Sequence, residues 1–358
     1  MKRSGRKLII IGLIAAVFLV GCYNEPAAVG NSTEHEQQSY QIGLSFDSFV
    51  IERWLRDRDA FVTTAEELGA EVNVQNANGS LTEQISQIEY FINKKMDVIV
   101  IVAVDCSGLG TAIEKAQKEG IKVISYDRLI QDVRTDLYIS FDNEQVGEEM
   151  AASIVEQLPE GGNIACIMGP ESDNNVFMVQ QGFERIIAEN PGVNIAYTQH
   201  CENWDADLAP QYAEEAIAQV ENLAAIMCGN DDIATQVSKT LAEYRLAGNV
   251  VVVGQDADLA ACQRIVEGTQ TMTVFKHVEE LAKIAANFAV ELAKEEDISD
   301  STGSLDYYTT DQINNGQYNI PYYRLEPVVV TAENMDQVII DSGFHEAGEV
   351  YLNVEFEK

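Results

Sequence analysis

Arginine, amide, carboxylate and indole side chains recur at one kind of place in this sequence, just after short β-branched runs. The first such stretch is Asp47-Ser-Phe-Val-Ile-Glu-Arg53-Trp54, and the next is Tyr126-Asp127-Arg128. Later ones are Gly169-Pro-Glu-Ser-Asp173-Asn174-Asn175, Glu202-Asn203-Trp204-Asp205 and Gly229-Asn230-Asp231-Asp232. Gly254-Gln255-Asp256-Ala257-Asp258 and Val274-Phe275-Lys276 complete the set. This mix suits a neutral polyhydroxylated ligand. Each sugar hydroxyl donates one hydrogen bond and accepts two, so it pairs with carboxylates on one side and Arg, Lys or Asn on the other. Charged partners contribute ~1.5–3 kcal/mol per hydrogen bond. The apolar face of a pyranose lies flat on an indole ring, and both tryptophans of the chain, Trp54 and Trp204, fall in these stretches.

Each position also has a plainer use. An Asp or Asn at a strand end caps the following helix, which applies to Asp173, Asn230 and Asp256. A single Arg on a helix is commonly solvated surface, and Trp54 has core spacing with Phe61. The convergence of seven stretches on one pole carries the joint reading. From the residues alone it stops at a small-molecule cleft between two α/β domains, for a polar, uncharged ligand.

Catalytic chemistries fit less well. The four histidines, His35, His200, His277 and His345, form no H-E-x-x-H metal pattern. No G-x-S-x-G elbow or P-loop is present. His200 and Cys201 are adjacent, so their side chains diverge. Asp173 and Asp256 resemble a glycosidase pair in type, but flanking Arg and Lys would hold both ionised. The acidic stretch Asp297–Asp306 does not match the EF-hand spacing and reads as a solvated loop. We therefore expect no catalytic residues, no metal and no cofactor.

The elements that must position these residues alternate. Strand candidates are 41–46, 72–75, 97–104, 122–127, 163–168, 193–199, 224–228, 249–254 and 271–275, with a strand-like link at 137–142. Val98-Ile-Val-Ile-Val-Ala-Val and Val250-Val-Val-Val are continuously apolar, as parallel strands covered on both faces are. Helix-period segments at 51–68, 83–93, 109–119, 144–157, 212–221 and 278–293 lie between them. Gly69, Gly120 and Gly268 mark helix stops. This predicts α/β architecture: two doubly wound parallel-sheet lobes joined by a hinge. Ligands of open α/β sheets bind beyond the carboxyl ends of the strands, where the polar stretches lie.

The chain has 358 residues, room for two domains, and 23 basic against 58 acidic residues, a formal net charge of −35. Such a surface repels phosphate backbones and excludes nucleic acid as a partner. At the N-terminus, Lys2, Arg3, Arg6 and Lys7 precede 13 apolar or small residues, Leu8 to Val20. A spanning helix needs ~20, so residues 1–21 read as a signal peptide. The run ends in Leu19-Val20-Gly21-Cys22, which resembles the bacterial lipobox; ordinary secretion with cleavage past Ala27 is the alternative. Lipidation of Cys22 would leave residues 22–39 as a flexible tether, anchored at the outer face of the cell membrane. The other cysteines, Cys106, Cys166, Cys201, Cys228 and Cys262, are odd in number and show no disulfide spacing. Cys166 and Cys228 read as core.

Several long runs resemble the sugar-binding proteins of bacterial ABC importers, of the periplasmic type I fold. They are Glu52-Arg-Trp-Leu-Arg-Asp-Arg-Asp59, Gln75-Asn-Ala-Asn-Gly79, Tyr126-Asp-Arg128, Tyr138-Ile-Ser-Phe-Asp-Asn143, Asp173-Asn-Asn175, Gly254-Gln-Asp-Ala-Asp-Leu-Ala260, Gly268-Thr-Gln-Thr-Met-Thr-Val274 and Ile340-Asp-Ser-Gly-Phe-His345. The resemblance implies ligand contacts at Arg53, Arg128, Asp173, Asn175, Trp204, Asn230, Asp256 and Lys276, with Trp54 as the ring opposing Trp204. It implies three crossings between lobes: 40–140 and 277–330 in the N-terminal lobe, 141–276 and 331–358 in the C-terminal lobe. The implied ligand is a monosaccharide, D-xylose favoured, with glucose or arabinose as alternatives. The implied partners are ABC permease subunits, or else a membrane sensor kinase or chemoreceptor that reads the closed form. Phe46-Asp-Ser-Phe-Val-Ile51, Cys201-Glu-Asn203 and the segment Asp297–Tyr323 depart from the family pattern, which bears on the choice of sugar.

Overall fold

A computed structural model gives the structure of residues 39–51, 53–295 and 308–354. The expected signal over 1–21, the lipidated Cys22, the tether up to residue 38 and the Asp297–Asp306 stretch lie outside the described residues. The first series alternates β1 (Tyr40–Phe46), α1 (Arg53–Glu67), β2 (Ala70–Asn76), α2 (Leu81–Lys94), β3 (Val98–Ile101), α3 (Gly110–Lys118), β4 (Lys122–Tyr126) and β5 (Leu137–Phe141). The second runs α4 (Asn143–Gln157), β6 (Gly162–Met168), α5 (Asn174–Glu189), β7 (Val193–His200), α6 (Ala209–Gln219), β8 (Leu223–Cys228), α7 (Asp231–Glu243), β9 (Val251–Gln255), α8 (Leu259–Val266) and β10 (Met272–Phe275). Then follow α9 (Val278–Ala293), β11 (Gln312–Asn314), β12 (Asn319–Leu325), β13 (Val328–Val330) and the short α10 (Ala347–Val350).

Two sheets result. One has the order β11-β12-β5-β4-β3-β1-β2 and the other β13-β10-β9-β8-β6-β7. Within each, all pairs are parallel except the edge pairs β11–β12 and β10–β13. The fully buried runs of β3 and β10 sit inside these sheets, and β3 is covered on both faces as its continuous apolarity requires. The chain passes between sheets after Phe141, after Phe275 and after Leu325. Helix α9 packs on α1 and on the first sheet.

Strands β11 to β13 were not anticipated. Pro321 lies inside β12, and proline cannot donate to a ladder, so the sequence reads poorly as a strand. The pairing of β12 with β5 begins only at Tyr322, so the missing donor falls just before that ladder. Val328–Val330 belongs to the second sheet, so the last passage falls at Glu326-Pro327 and not at residue 330.

Helices α4 and α5 approach unusually closely. A Cβ on Gly147 would stand 1.9 Å from the Val179 carbonyl oxygen, and one on Gly182 would stand 1.9 Å from that of Glu144. Glycine is required at both crossings because backbone meets backbone.

All five cysteines from Cys106 onward are buried and unbridged. Asp231 is also fully buried. Its carboxylate accepts from Thr273 Oγ1 at 2.6 Å, Gln270 Nε2 at 2.9 Å and the Asp258 N–H at 3.2 Å. Burial pushes its pKa up to about 7 despite those bonds and the nearby Arg264 charge. A carboxylate raised in the folded state stabilises fully below its unfolded value, about 3.9. That contribution is lost as pH rises toward the folded value. Asp231→Asn should therefore flatten the pH dependence of stability between about pH 4 and 7, by at most ~1.4 kcal/mol per pH unit. Urea unfolding across that window reads it; parallel wild-type and variant curves would mean that Asp231 stays ionised.

Candidate functional site

The strand ends deliver their side chains to one narrow cavity between the two sheets, with a volume of about 30 Å³. From the first lobe come Arg53 and Trp54, at the first turn of α1, and Asp127 and Arg128, just past β4. From the second come Asp173 and Asn175 at the start of α5, Trp204 after β7, and Gln255 and Asp256 at the end of β9. Lys276 arrives from the passage between β10 and α9. Met168, Val176 and Val179 supply apolar wall.

Eight of the nine residues expected from sequence line the cavity: Arg53, Trp54, Arg128, Asp173, Asn175, Trp204, Asp256 and Lys276. Asn230 does not. It is the N-cap of α7, its Oδ1 accepting from the Ile233 N–H at 3.0 Å, while its buried Nδ2 has no partner. Asp127, Asn143 and Gln255 line the cavity without having been singled out. Asp127 and Gln255 each stand beside a chosen residue at a strand end, the one signal that could have marked them.

Charge pairing organises the site. Arg53 lies 2.9 Å from Asp127, 3.1 Å from Asp57 and 3.9 Å from Asp256. Arg128 lies 2.8 Å from both Asp47 and Asp173, and Lys276 lies 2.7 Å from Asp256. Burial alone would raise Asp127, but Arg53, Lys276 and Arg128 outweigh it and hold the carboxyl below its ordinary value. Burial would likewise weaken the proton hold of Arg53; Asp127, Asp57 and Asp256 reverse that and keep it charged. At Asp173 burial prevails over Arg128, so its pKa is raised. The expectation that basic neighbours simply hold this group down is thus too simple, because its desolvation is nearly complete.

The two indoles differ in their surroundings. Trp54 is 1 % exposed, with the Arg53 guanidinium 4.5 Å and the Arg128 guanidinium 5.5 Å from its ring centre. It also packs on Phe46, so its core spacing and its place in the cavity wall are compatible. Trp204 donates Nε1–H to Asp173 at 3.1 Å. It follows Asn203 in a double left-handed turn, with φ of 54° and 58°. Such backbone conformations cost of order 1–3 kcal/mol each and cluster at functional sites. Gly169 leaves room for this ring: a Cβ there would fall 2.5 Å from it.

Hydrogen-bonding capacity remains unmatched around the cavity. Trp54 Nε1, Asn175 Oδ1 and Gln255 Oε1 are buried without a protein partner. Buried polar atoms of this kind are rarely left unpaired without a functional reason. The unpaired atoms include both a donor and acceptors, which hydroxyl groups, being both, can satisfy. His200 is engaged by the Gly169 carbonyl at 2.8 Å, and burial pushes the Cys201 thiol up to about 12, which opposes a nucleophilic role. Among the described residues no group of three or more His, Cys, Asp or Glu is arranged to hold a metal ion.

Known proteins resemble this chain in sequence and in fold. The model of the periplasmic binding protein domain matches residues 42–297. The chain is 42% identical over 324 residues to the D-xylose-binding periplasmic protein of Haemophilus influenzae, covering 89% of this chain and 95% of that protein. It is 38% identical over 315 residues to the D-xylose-binding periplasmic protein of Escherichia coli, covering 87% and 92%. An ABC transporter solute-binding protein from Clostridium phytofermentans, solved with bound β-D-glucose, superposes with a TM-score of 0.76 at 26% identity. That alignment covers 87% of this chain and 99% of the other. With two parallel-sheet lobes around a polar cleft and a match along most of its length, the chain belongs to the periplasmic binding protein domain family.

Proposed function

We propose that this chain captures a monosaccharide, D-xylose favoured, between two closing lobes and hands it to an ABC importer. The cavity itself carries the reading: it joins one indole from each lobe with Arg, Lys and Asp side chains, and leaves Trp54 Nε1, Asn175 Oδ1 and Gln255 Oε1 without protein partners. Arg53, Arg128 and Lys276 donate to ring and hydroxyl oxygens. Asp173, Asp256 and Asp127 accept from hydroxyls, Asn175 does both, and Trp54 and Trp204 bracket the ring. The relatives named for D-xylose binding support the choice of sugar. Capture needs no catalytic step. Sugar contacts to both lobes favour the closed form over the open one, and the closed face is what membrane permease subunits read. Lipidation at Cys22 keeps the protein beside those subunits.

Both tryptophans of the chain line the cavity, so intrinsic fluorescence reports binding directly. The protein lacking residues 1–21, titrated with D-xylose, D-glucose, L-arabinose and D-ribose, should give a saturable change at micromolar D-xylose and little with D-glucose. Preference for another aldose would move the substrate and keep the mechanism. No response to any of them would refute the sugar site.

A further inference from the structure

The lobes also touch outside the cavity. The backbone N–H of Cys106, in the loop after β3, donates to the Ser172 carbonyl at 2.9 Å, in the loop before α5. The Cys106 carbonyl accepts from the Gln131 N–H at 2.7 Å. The side chain of Gln131 then reaches across through Nε2 to Asn174 Oδ1, and its Oε1 accepts from Ser107 Oγ at 3.5 Å. Cys106, Ser107 and Gln131 belong to the first lobe, Ser172 and Asn174 to the second. None of the five lines the sugar cavity.

Their position relative to the cavity is informative. Asn174 stands between Asp173, which meets Arg128 at 2.8 Å, and Asn175, whose Nδ2 reaches the Asp127 carbonyl at 3.1 Å. The outer bonds therefore form in the same movement that brings the two walls of the cavity together. They use no ligand atom, so they favour the closed form whether or not the cleft is filled. A bias on closure multiplies the apparent affinity of every ligand by one factor, because only the closed form holds the ligand from both sides.

We propose that Gln131 and Asn174 form an interlobe latch that sets the affinity of the cleft without contacting the sugar. They are positioning residues, acting through the open–closed equilibrium, and the proposal rests on the capture reading given above. One net hydrogen bond corresponds to a loss of about three- to tenfold. Gln131→Ala and Asn174→Ala should each weaken binding by that much, and the double variant by no more than either alone, since both break one bond. The loss should have the same factor for every sugar that binds, and should lie in faster dissociation with unchanged association. The thermal stability of the sugar-free variants should fall by no more than the loss of that one bond allows. Small-angle scattering without sugar should give a larger radius of gyration for the variants than for wild type.

A shifted preference among sugars, a slower association rate or identical sugar-free scattering curves would overturn the latch. If no sugar binds even the wild type, the capture reading fails instead, and the sugar-free scattering comparison still decides whether the latch exists.

Discussion

Arg53→Ala is expected to lower the stability of the protein by about 3–5 kcal/mol and to remove measurable sugar binding. Arg53 is 4% exposed and stands among Asp127 at 2.9 Å, Asp57 at 3.1 Å and Asp256 at 3.9 Å. Removing it takes from Asp57 the basic group it pairs with and from Asp127 its nearest one, and uncompensated buried charge costs far more than the pair itself contributes. Two of them, Asp127 and Asp256, line the cavity, so the damage reaches the ligand directly. The variant should also respond to acid differently. In the wild type Asp127 is held below its ordinary pKa, so its contribution is present above the unfolded value and fades as pH falls. Without Arg53 only Lys276 and Arg128 oppose the burial of Asp127, so that contribution is weakened at neutral pH, and the stability gap between the two proteins should narrow below about pH 4. Urea unfolding at several pH values and calorimetric titration with D-xylose measure both effects. Arg53→Lys separates charge from geometry: it should recover most of the stability but little affinity, since an ammonium lacks the planar fork. A stable Arg53→Ala protein that still binds sugar would disprove the role.

Gly182→Ala should cost about 3 kcal/mol, at the severe end of overpacking. The added methyl would lie 1.9 Å from a backbone oxygen of Glu144, which no side-chain rotation relieves. Helix α5 must therefore move away from α4. The site moves with them, since α5 begins just after Asp173 and carries Asn175 in its first turn, while α4 begins with Asn143. We expect a lower unfolding temperature and, in the protein that remains folded, weaker binding of every sugar. Gly69→Ala is the useful contrast. Nothing lies within 4 Å of its Cβ position, and only the left-handed φ of 87° opposes the substitution. It should lose about 1–2 kcal/mol and leave affinity untouched. Equal stability losses and equal affinities for the two variants would show that the helix crossing does not position the site.

Much of the architecture was legible because it rests on local patterns. The unbroken apolarity of Val98–Ile101 announces a strand buried on both faces, and it is one. The glycines after α1, α3 and α8 have the left-handed φ that helix stops demand, at 87°, 84° and 78°. The polar stretches lie at strand ends because a parallel sheet points all its carboxyl ends one way. What escaped reading depends on distant partners. Strand β12, with its proline, is a strand because Tyr322–Leu325 finds β5 to pair with. Nothing in the immediate neighbourhood of Gly147 or Gly182 says that each faces the backbone of another helix.

The candidate site divides in the same way. The sequence alone determined that arginines, carboxylates, amides and both tryptophans gather at one pole of an α/β fold, since strand and helix periods are properties of neighbouring residues. The tertiary structure decided which of them share a cavity. Asn230 spends its carbonyl on the first turn of α7, whereas Asp127, unremarkable in sequence, is drawn between Arg53 and Asn175. A short polar side chain takes whichever partner comes within about 3 Å, and that distance is set by segments far apart in the chain.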